Sequence, residues 1–238
     1  CVLGCMVMQK TQSVAIGILI ILTLSSLCGL VNGIAVAVLK LPAFIATMAT
    51  MTITGGLALF MTNGESVTDL PDTYQNIGWS KVGQIPVTLI LALIIFLMMW
   101  FLLKRTGYGR RLYAVGGNAK ASHIMGINVT VIVIIAYVLS GLMAGIGGVM
   151  LSSRLSAARC SMASTLQMDA VTAVVVGGTS MNGGRGSIVG TLIGACLISI
   201  IRNGLNLIEL NYYYQLVITG VIIILAVAID CAKRVRDN

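Results

Sequence analysis

Six stretches of near-continuous apolar sequence, residues 13 to 39, 43 to 62, 86 to 103, 129 to 151, 188 to 208 and 212 to 229, leave this chain few folds to choose from. Most approach the ~20 residues that carry a helix through the hydrocarbon of a bilayer, and each reads as a transmembrane helix. The alternative is an unusually apolar soluble core, which would need polar helix faces and long charged loops. Only 9% of the 238 residues are charged and 58% are hydrophobic, against about 25% charged in ordinary soluble domains. The expected class is therefore all-α and polytopic in a membrane.

The formal charge of +8 raises the question of nucleic acid, and the placement of the charges answers it. Lys104, Arg105, Arg110, Arg111 and Lys120 share one connecting segment, and Lys233, Arg234 and Arg236 follow the last apolar run. The positive-inside rule puts both in the cytoplasm, so the C-terminus is expected there and no nucleic-acid partner is implied. The loop 63–85 then falls outside, where Glu65, Asp69 and Asp72 face only Lys81. Cys1, Cys5, Cys28, Cys160, Cys196 and Cys231 are scattered without a CxxC pair, and His123 is the one histidine. No metal site, disulfide framework or catalytic set is suggested. The chain opens on CVLGCMVM, already apolar, and reads as a piece lacking N-terminal helices.

The stretch VVVGGTSMNGGRGSIVG, residues 174–190, has the look of a phosphate loop. Gly178 and Gly183 have the GxxxxG spacing, but Gly184 stands where the loop needs its lysine. The dinucleotide pattern fails too, since no acidic residue follows in 187–208. Topology suggests another role. Between the cytoplasmic segment ending near Asn128 and the basic tail, the chain must cross the membrane an even number of times. Three crossings are plain, and a fourth must come from 166–181, whose apolar part, Ala170 to Val176, is too short to cross as one helix. Irregular backbone at depth is tolerated only within protein or beside a watery cavity. About seven full or partial spans result, one of them broken and glycine-rich. Gly177, Gly178, Gly183, Gly184 and Gly186 would serve tight turns and close helix approach beside a polar route, or simply helix packing through small contacts. Gly17, by contrast, is expected to face lipid or a loose contact.

Within the cytoplasmic segment 104–128, Asn118 suits an N-cap, Ala119 to Met125 favour helix, and Gly126 followed by Ile127 has the form of a Schellman stop. A helix of about two turns, roughly 10 Å, is unstable alone, so it should rest on the membrane surface or on a partner. His123 would lie on its surface. A weak internal repeat also aligns Asn32 and Gly33 with Asn203 and Gly204, the kind of duplication some transporters use.

GYGRRLYAVGGNAKASHIMGINV, MDAVTAVVVGGTSMNGGRGSIVGTLIGA, LPAFIATMATM and NGLNLIELNYYYQLVITGVIIILAVAID together resemble the membrane permeases of bacterial ABC importers for ribose and related simple sugars. The resemblance covers nearly all of the chain, and the family's GIDLSVG motif with its surrounding helices is missing. It implies a type II-like permease fold, a place in the bacterial cytoplasmic membrane, and a second permease subunit, as homodimer or heterodimer. It also implies an extracytoplasmic sugar-binding protein and a cytoplasmic ATP-binding subunit that holds the ATP and magnesium, this chain needing no cofactor. The short helix becomes the coupling helix, with Gly117, Asn118, Ala121, His123, Gly126 and Ile127 at the ATPase contact. Along the expected route, Phe44, Thr47, Thr50, Asp169, Thr172, Gly178, Asn203 and Gln215 are candidates for lining it, each able instead to serve helix packing. Asp169 stands out, since a carboxylate in lipid is costly and should face water or a partner. Phe44 and the tyrosines 212–214 could stack on a sugar or belong to an interfacial belt. The competing readings are a permease for another small polyol-like solute or a signalling furanose, and a passive channel, which would need no docking helix. An intramembrane hydrolase would need a nucleophile and base that the sequence does not bring together.

Overall fold

The computed structural model describes residues 1–208 except Asn182, together with Tyr214, Val217, Ile218, Gly220, Val221 and Ile222. Its helices are α1 (Val2–Thr11), α2 (Val14–Ala37), α3 (Ala43–Thr62), α4 (Asp72–Trp79), α5 (Val87–Arg105), α6 (Gly107–Gly117), α7 (Ala119–Ile124), α8 (Val129–Leu155), α9 (Leu166–Val176) and α10 (Ile188–Leu207), with one two-stranded hairpin, β1 (Lys81–Val82) and β2 (Ile85–Pro86). Five of them, α2, α3, α5, α8 and α10, are long and apolar enough to cross a membrane. They match the first five apolar runs within a few residues. Of the sixth run, 212–229, only Tyr214, Val217, Ile218, Gly220, Val221 and Ile222 are described, and the basic tail lies outside the described residues.

Large apolar side chains stand exposed along these helices, among them Leu19 at 62% and Phe60 at 81%. None of the residues of α5 is buried. In water such surfaces would associate; in hydrocarbon they need no cover, and each helix satisfies its own backbone hydrogen bonds.

The chain forms two compact units, Cys1–Met98 with Ser122–Met162, and Met99–Ala121 with Ala163–Asn238. In the first, α1 and α2 make an antiparallel hairpin that turns at Gln12, whose φ is 54°. Gly17 is packed there rather than facing lipid: a Cβ on it would lie 3.0 Å from the Gly4 carbonyl and would collide with Met8. Its helix has α1 as a close neighbour, which the opening residues alone did not reveal.

Antiparallel α2 and α8 form the central contact of this unit. Side chains added at Gly29 or Gly141 would strike the carbonyls of Tyr137 and Ser25, and one at Gly33 would lie 3.0 Å from Ile134 Cα. Both glycine pairs, Gly29 with Gly33 and Gly141 with Gly145, are four residues apart and so lie on one face of their helix. Lipid tails are as apolar as leucine, so helices here gain from close backbone packing rather than from escape from water.

The loop 63–85, expected outside the membrane, is more ordered than its composition suggested. It contains α4 and the β-hairpin, and an isolated bridge joins Val67 to Ala158 through hydrogen bonds of 3.0 and 2.9 Å. Tyr74 on α4 is fully buried; its hydroxyl lies 2.6 Å from Ser152 Oγ, while Ser153 Oγ donates to the Tyr74 carbonyl at 2.5 Å. Burial pushes the Tyr74 phenol well above its ordinary range. This polar knot fixes α4 to the end of α8.

Candidate functional site

In the second unit, α9 and α10 form an antiparallel hairpin joined by the glycine segment. Their approach is as close as helices allow, with Gly177 opposite Gly190 and Gly194 opposite the Ala173 carbonyl, positions where a Cβ would overlap backbone. α9 has 11 residues, about 16 Å at 1.5 Å per residue, roughly half of a bilayer's ~30 Å core. α9 alone is therefore too short to cross a bilayer core. Gly178, Gly183 and Gly184 hold φ of 83°, 86° and 75°, a region where only glycine is free of strain. Both expected uses of the glycines, tight turns and close helix approach, occur in this one segment.

The turn is braced internally, Ser180 N–H donating to the Arg185 carbonyl at 2.9 Å and Gly183 N–H to the Ser180 carbonyl at 3.1 Å. Its tip sits against the end of α6. A Cβ on Gly183 would lie 2.5 Å from the Gly116 carbonyl and one on Gly184 2.7 Å from Gly117 Cα, and Tyr113 donates its hydroxyl to the Gly186 carbonyl at 3.1 Å. The sequence reading missed α6, because the four glycines in GYGRRLYAVGG disguise a helix. Its one visible signal was Thr106, which caps it by accepting from Gly109 N–H at 3.4 Å.

The short helix follows directly. Asn118 ends α6, its N–H reaching the Ala114 carbonyl at 3.0 Å, and begins α7, its Oδ1 accepting from Ala121 N–H at 3.0 Å. Gly126, at φ 81°, donates to His123, and Ile127 N–H donates to the Ser122 carbonyl, both at 3.0 Å. These are the two bonds of a Schellman motif. Ser122 is buried, whereas Ala121, His123, Ile124 and Met125 are exposed, Ile124 to 86%. α7 therefore has a covered side and an open apolar one.

The described route candidates are divided between the two units, Phe44, Thr47 and Thr50 in the first and Asp169, Thr172, Gly178 and Asn203 in the second. Asp169, in the first turn of α9, meets Arg202 of α10 in a two-pronged ion pair of 2.5 and 2.7 Å. Arg202 was passed over in the sequence because it sits inside an apolar run, and it supplies the partner that a carboxylate in an apolar helix demands. Thr172 is buried and its hydroxyl is bonded to its own helix at Met168. On the first unit, Thr50 donates to Asn32 Oδ1 at 2.6 Å, joining α3 to α2. Thr47 bonds the Ala43 carbonyl of its own turn, and Phe44 stands 68% exposed. Asn203 is exposed on α10, and Gly178 would accept a Cβ without contact. Gln215, Tyr212 and Tyr213 lie outside the described residues. The proposed repeat pairs unlike surroundings among the described residues, since Gly33 is packed on α8 and Gly204 meets none of them within 4 Å. An open hollow of about 260 Å³ beside Val171, Val174 and Met181 is apolar and offers a sugar hydroxyl almost nothing. No metal-holding cluster occurs among the described residues.

Residues 1–227 match the model of a family described as the permease component of the branched-chain amino acid transport system. The ribose import permease of Bacillus subtilis strain 168 is 45% identical over 85% of the chain and 63% of its own length. The ribose import permease of Escherichia coli K12 is 41% identical over 90% of the chain and 68% of its own. The D-allose transport system permease of E. coli K12 is 38% identical over 85% and 62%. The chain thus spans about two-thirds of the length of these relatives. No solved structure matches it.

Proposed function

Because the chain belongs to the family of branched-chain amino acid transport system permease components, we propose that it is a transmembrane permease subunit of an ATP-driven importer, moving a ribose-like simple sugar across the bacterial cytoplasmic membrane. The observation that carries the solute class is the identity of 38 to 45% to permeases named for ribose and allose. The family description alone would leave the solute open to an amino acid.

In this reading the protein conducts and does not catalyse. ATP and magnesium belong to a separate cytoplasmic subunit, which docks on the open face of α7. A sugar-binding protein delivers solute from outside, and a second permease subunit completes the route. The capped and stopped α7 supports docking, since its exposed Ile124 and Met125 are unsuited to water and lie beside cytoplasmic basic residues. The same topology puts α4 and Asp72 outside, and the C-terminus inside. Route residues need bind only weakly, since a solute held tightly would leave slowly.

The test reconstitutes the complete permease with its ATP-binding subunit and sugar-binding protein in vesicles. Uptake of labelled ribose driven by ATP is expected, with no uptake of leucine; the reverse preference would replace the solute class. Asp72→Cys should label from outside only and Lys120→Cys from inside only. In the same vesicles Asn118→Ala, Ala121→Asp and Gly126→Val should lower stimulated ATP hydrolysis and uptake together. Normal values in all three would remove the docking role from α7.

A further inference from the structure

The glycine turn occupies the junction between α6 and the α9–α10 hairpin. Resting on the importer reading above, we propose that this turn is the mechanical relay of the transporter. Gly183, Gly184 and Gly186, seated on Gly116, Gly117 and Tyr113, carry displacement of α7 into the membrane helices.

The case rests on what kind of contact is made at each step. At Asn118 one residue closes α6 through its backbone and opens α7 through its side chain, so the two helices share a joint with no loop between them. From α6 to the turn the contact is backbone on backbone: a Cβ at Gly116 would lie 2.8 Å from Gly184 N. Side chains at a contact can change rotamer and absorb a small shift; bare backbone cannot. Tyr113 adds a directional bond, its hydroxyl on the Gly186 carbonyl. From the turn onward Gly177 on Gly190 and Gly194 on Ala173 bind α9 to α10 with equally little slack, and Asp169 with Arg202 ties the hairpin again further along. Movement entering at α7 thus meets no compliant element before reaching the hairpin. Tight packing of this sort passes strain on rather than dissipating it. The positive φ of Gly183 and Gly184 also explains why the seat requires glycine on both counts, conformation and space.

Two variants test the relay in the complete importer reconstituted with its ATP-binding subunit and binding protein. Tyr113→Phe removes the bond and keeps the ring; Gly116→Ala puts a methyl between the two backbones. Co-purification of the ATP-binding subunit and basal ATP hydrolysis should match the wild type, because α7 still docks. Ribose transported per ATP hydrolysed should fall roughly three- to fivefold in Tyr113→Phe, the equivalent of one ordinary hydrogen bond, and more than about tenfold in Gly116→Ala, since overpacking costs more. A purely structural role would instead lower yield and both activities in proportion. Unchanged transport per ATP in both variants, with wild-type uptake intact, overturns the relay and leaves the importer standing. A wild type that neither retains an ATP-binding subunit nor takes up ribose overturns the importer reading and the relay with it.

Discussion

Glycine does two different jobs in the two units of this chain. Between α2 and α8 it stays in ordinary helical conformation and is small: Gly29, Gly33 and Gly141 let two long spans touch backbone to backbone, and Gly145 leaves room for the Ser25 side chain. In the α9–α10 unit it is small and also left-handed, at Gly183 and Gly184, where the chain leaves helix altogether. The first use builds a fixed crossing from regular elements, with every backbone bond already satisfied inside each helix. The second makes irregular backbone that needs its neighbours to hold it. A defect at the crossing should therefore unfold, and a defect at the turn should uncouple.

The largest expected effect is at the crossing. Gly141→Leu drives a side chain into the Ser25 carbonyl and the Gly29 backbone, with no flexible group to yield. Overpacking of this kind costs about 3 kcal/mol or more, and the prediction is loss of folded protein from the membrane, read by thermal unfolding in detergent. Gly147→Leu on the same helix, with open space beside it, should be tolerated. Equal loss in both would dissolve the distinction between a packed and a lipid-facing glycine.

Second in size is the ion pair that closes the α9–α10 hairpin. Asp169→Asn strands Arg202, whose side chain is 33% exposed, and Arg202→Met strands Asp169, 14% exposed. Fully buried pairs lose 3–5 kcal/mol when one partner goes; partial exposure reduces this to about 2 kcal/mol. The double variant Asp169→Leu, Arg202→Leu should be less damaging than either single, because no charge is left unpaired. A double variant as poor as the sum of the singles would show that the two groups act separately, for instance as solute contacts.

The third test acts within the turn itself. Gly178→Ala and Gly183→Ala both place a methyl at positive φ, which costs about 1–2 kcal/mol. Only Gly183 also meets a carbonyl, that of Gly116. Transport should thus fall more in Gly183→Ala, with both proteins still assembling in the membrane. Identical transport in the two would mean that conformation alone matters at the turn and that the seat on α6 is incidental.

What could be read from sequence divides along the same line. The long spans were legible because hydropathy acts through length and composition, and the ends of α3 and α8 fall within a few residues of their apolar runs. Asn118, Gly126 and Ile127 were legible because capping is a local affair of a few adjacent residues. α6 was not, since its glycines argue against helix and its support comes from residues some seventy positions away, such as Gly186. The partner of Asp169 was hidden for a similar reason: Arg202 lies 33 positions on, in a run whose average is apolar. Helix order in α4 was missed because its hold is tertiary, through Tyr74 into α8. Close approach could be anticipated from glycine spacing, but which helix approaches which could not.

The smallest effect should come from the contact of Tyr74 at the end of α8. Tyr74→Phe keeps the buried ring and removes a hydroxyl that lies 2.6 Å from Ser152 Oγ and 3.3 Å from the Val149 carbonyl. Ser152 is not orphaned, because its hydroxyl also donates to the Gly148 carbonyl at 2.7 Å. The net loss is therefore that of one ordinary hydrogen bond, about 1 kcal/mol. Its pH dependence follows from burial, which raises the folded-state phenol above its ordinary value of about 10. A group raised on folding contributes fully below its unfolded value and loses that contribution as pH climbs past it. Wild-type protein should then shed stability above about pH 10 that the Phe variant never had, so the gap between the two narrows there. Thermal unfolding in detergent from pH 7 upward reads it. A gap that stays constant through pH 11 would mean that the Tyr74 hydroxyl is open to water, and that α4 is held by Ser153 and the Val67 bridge alone.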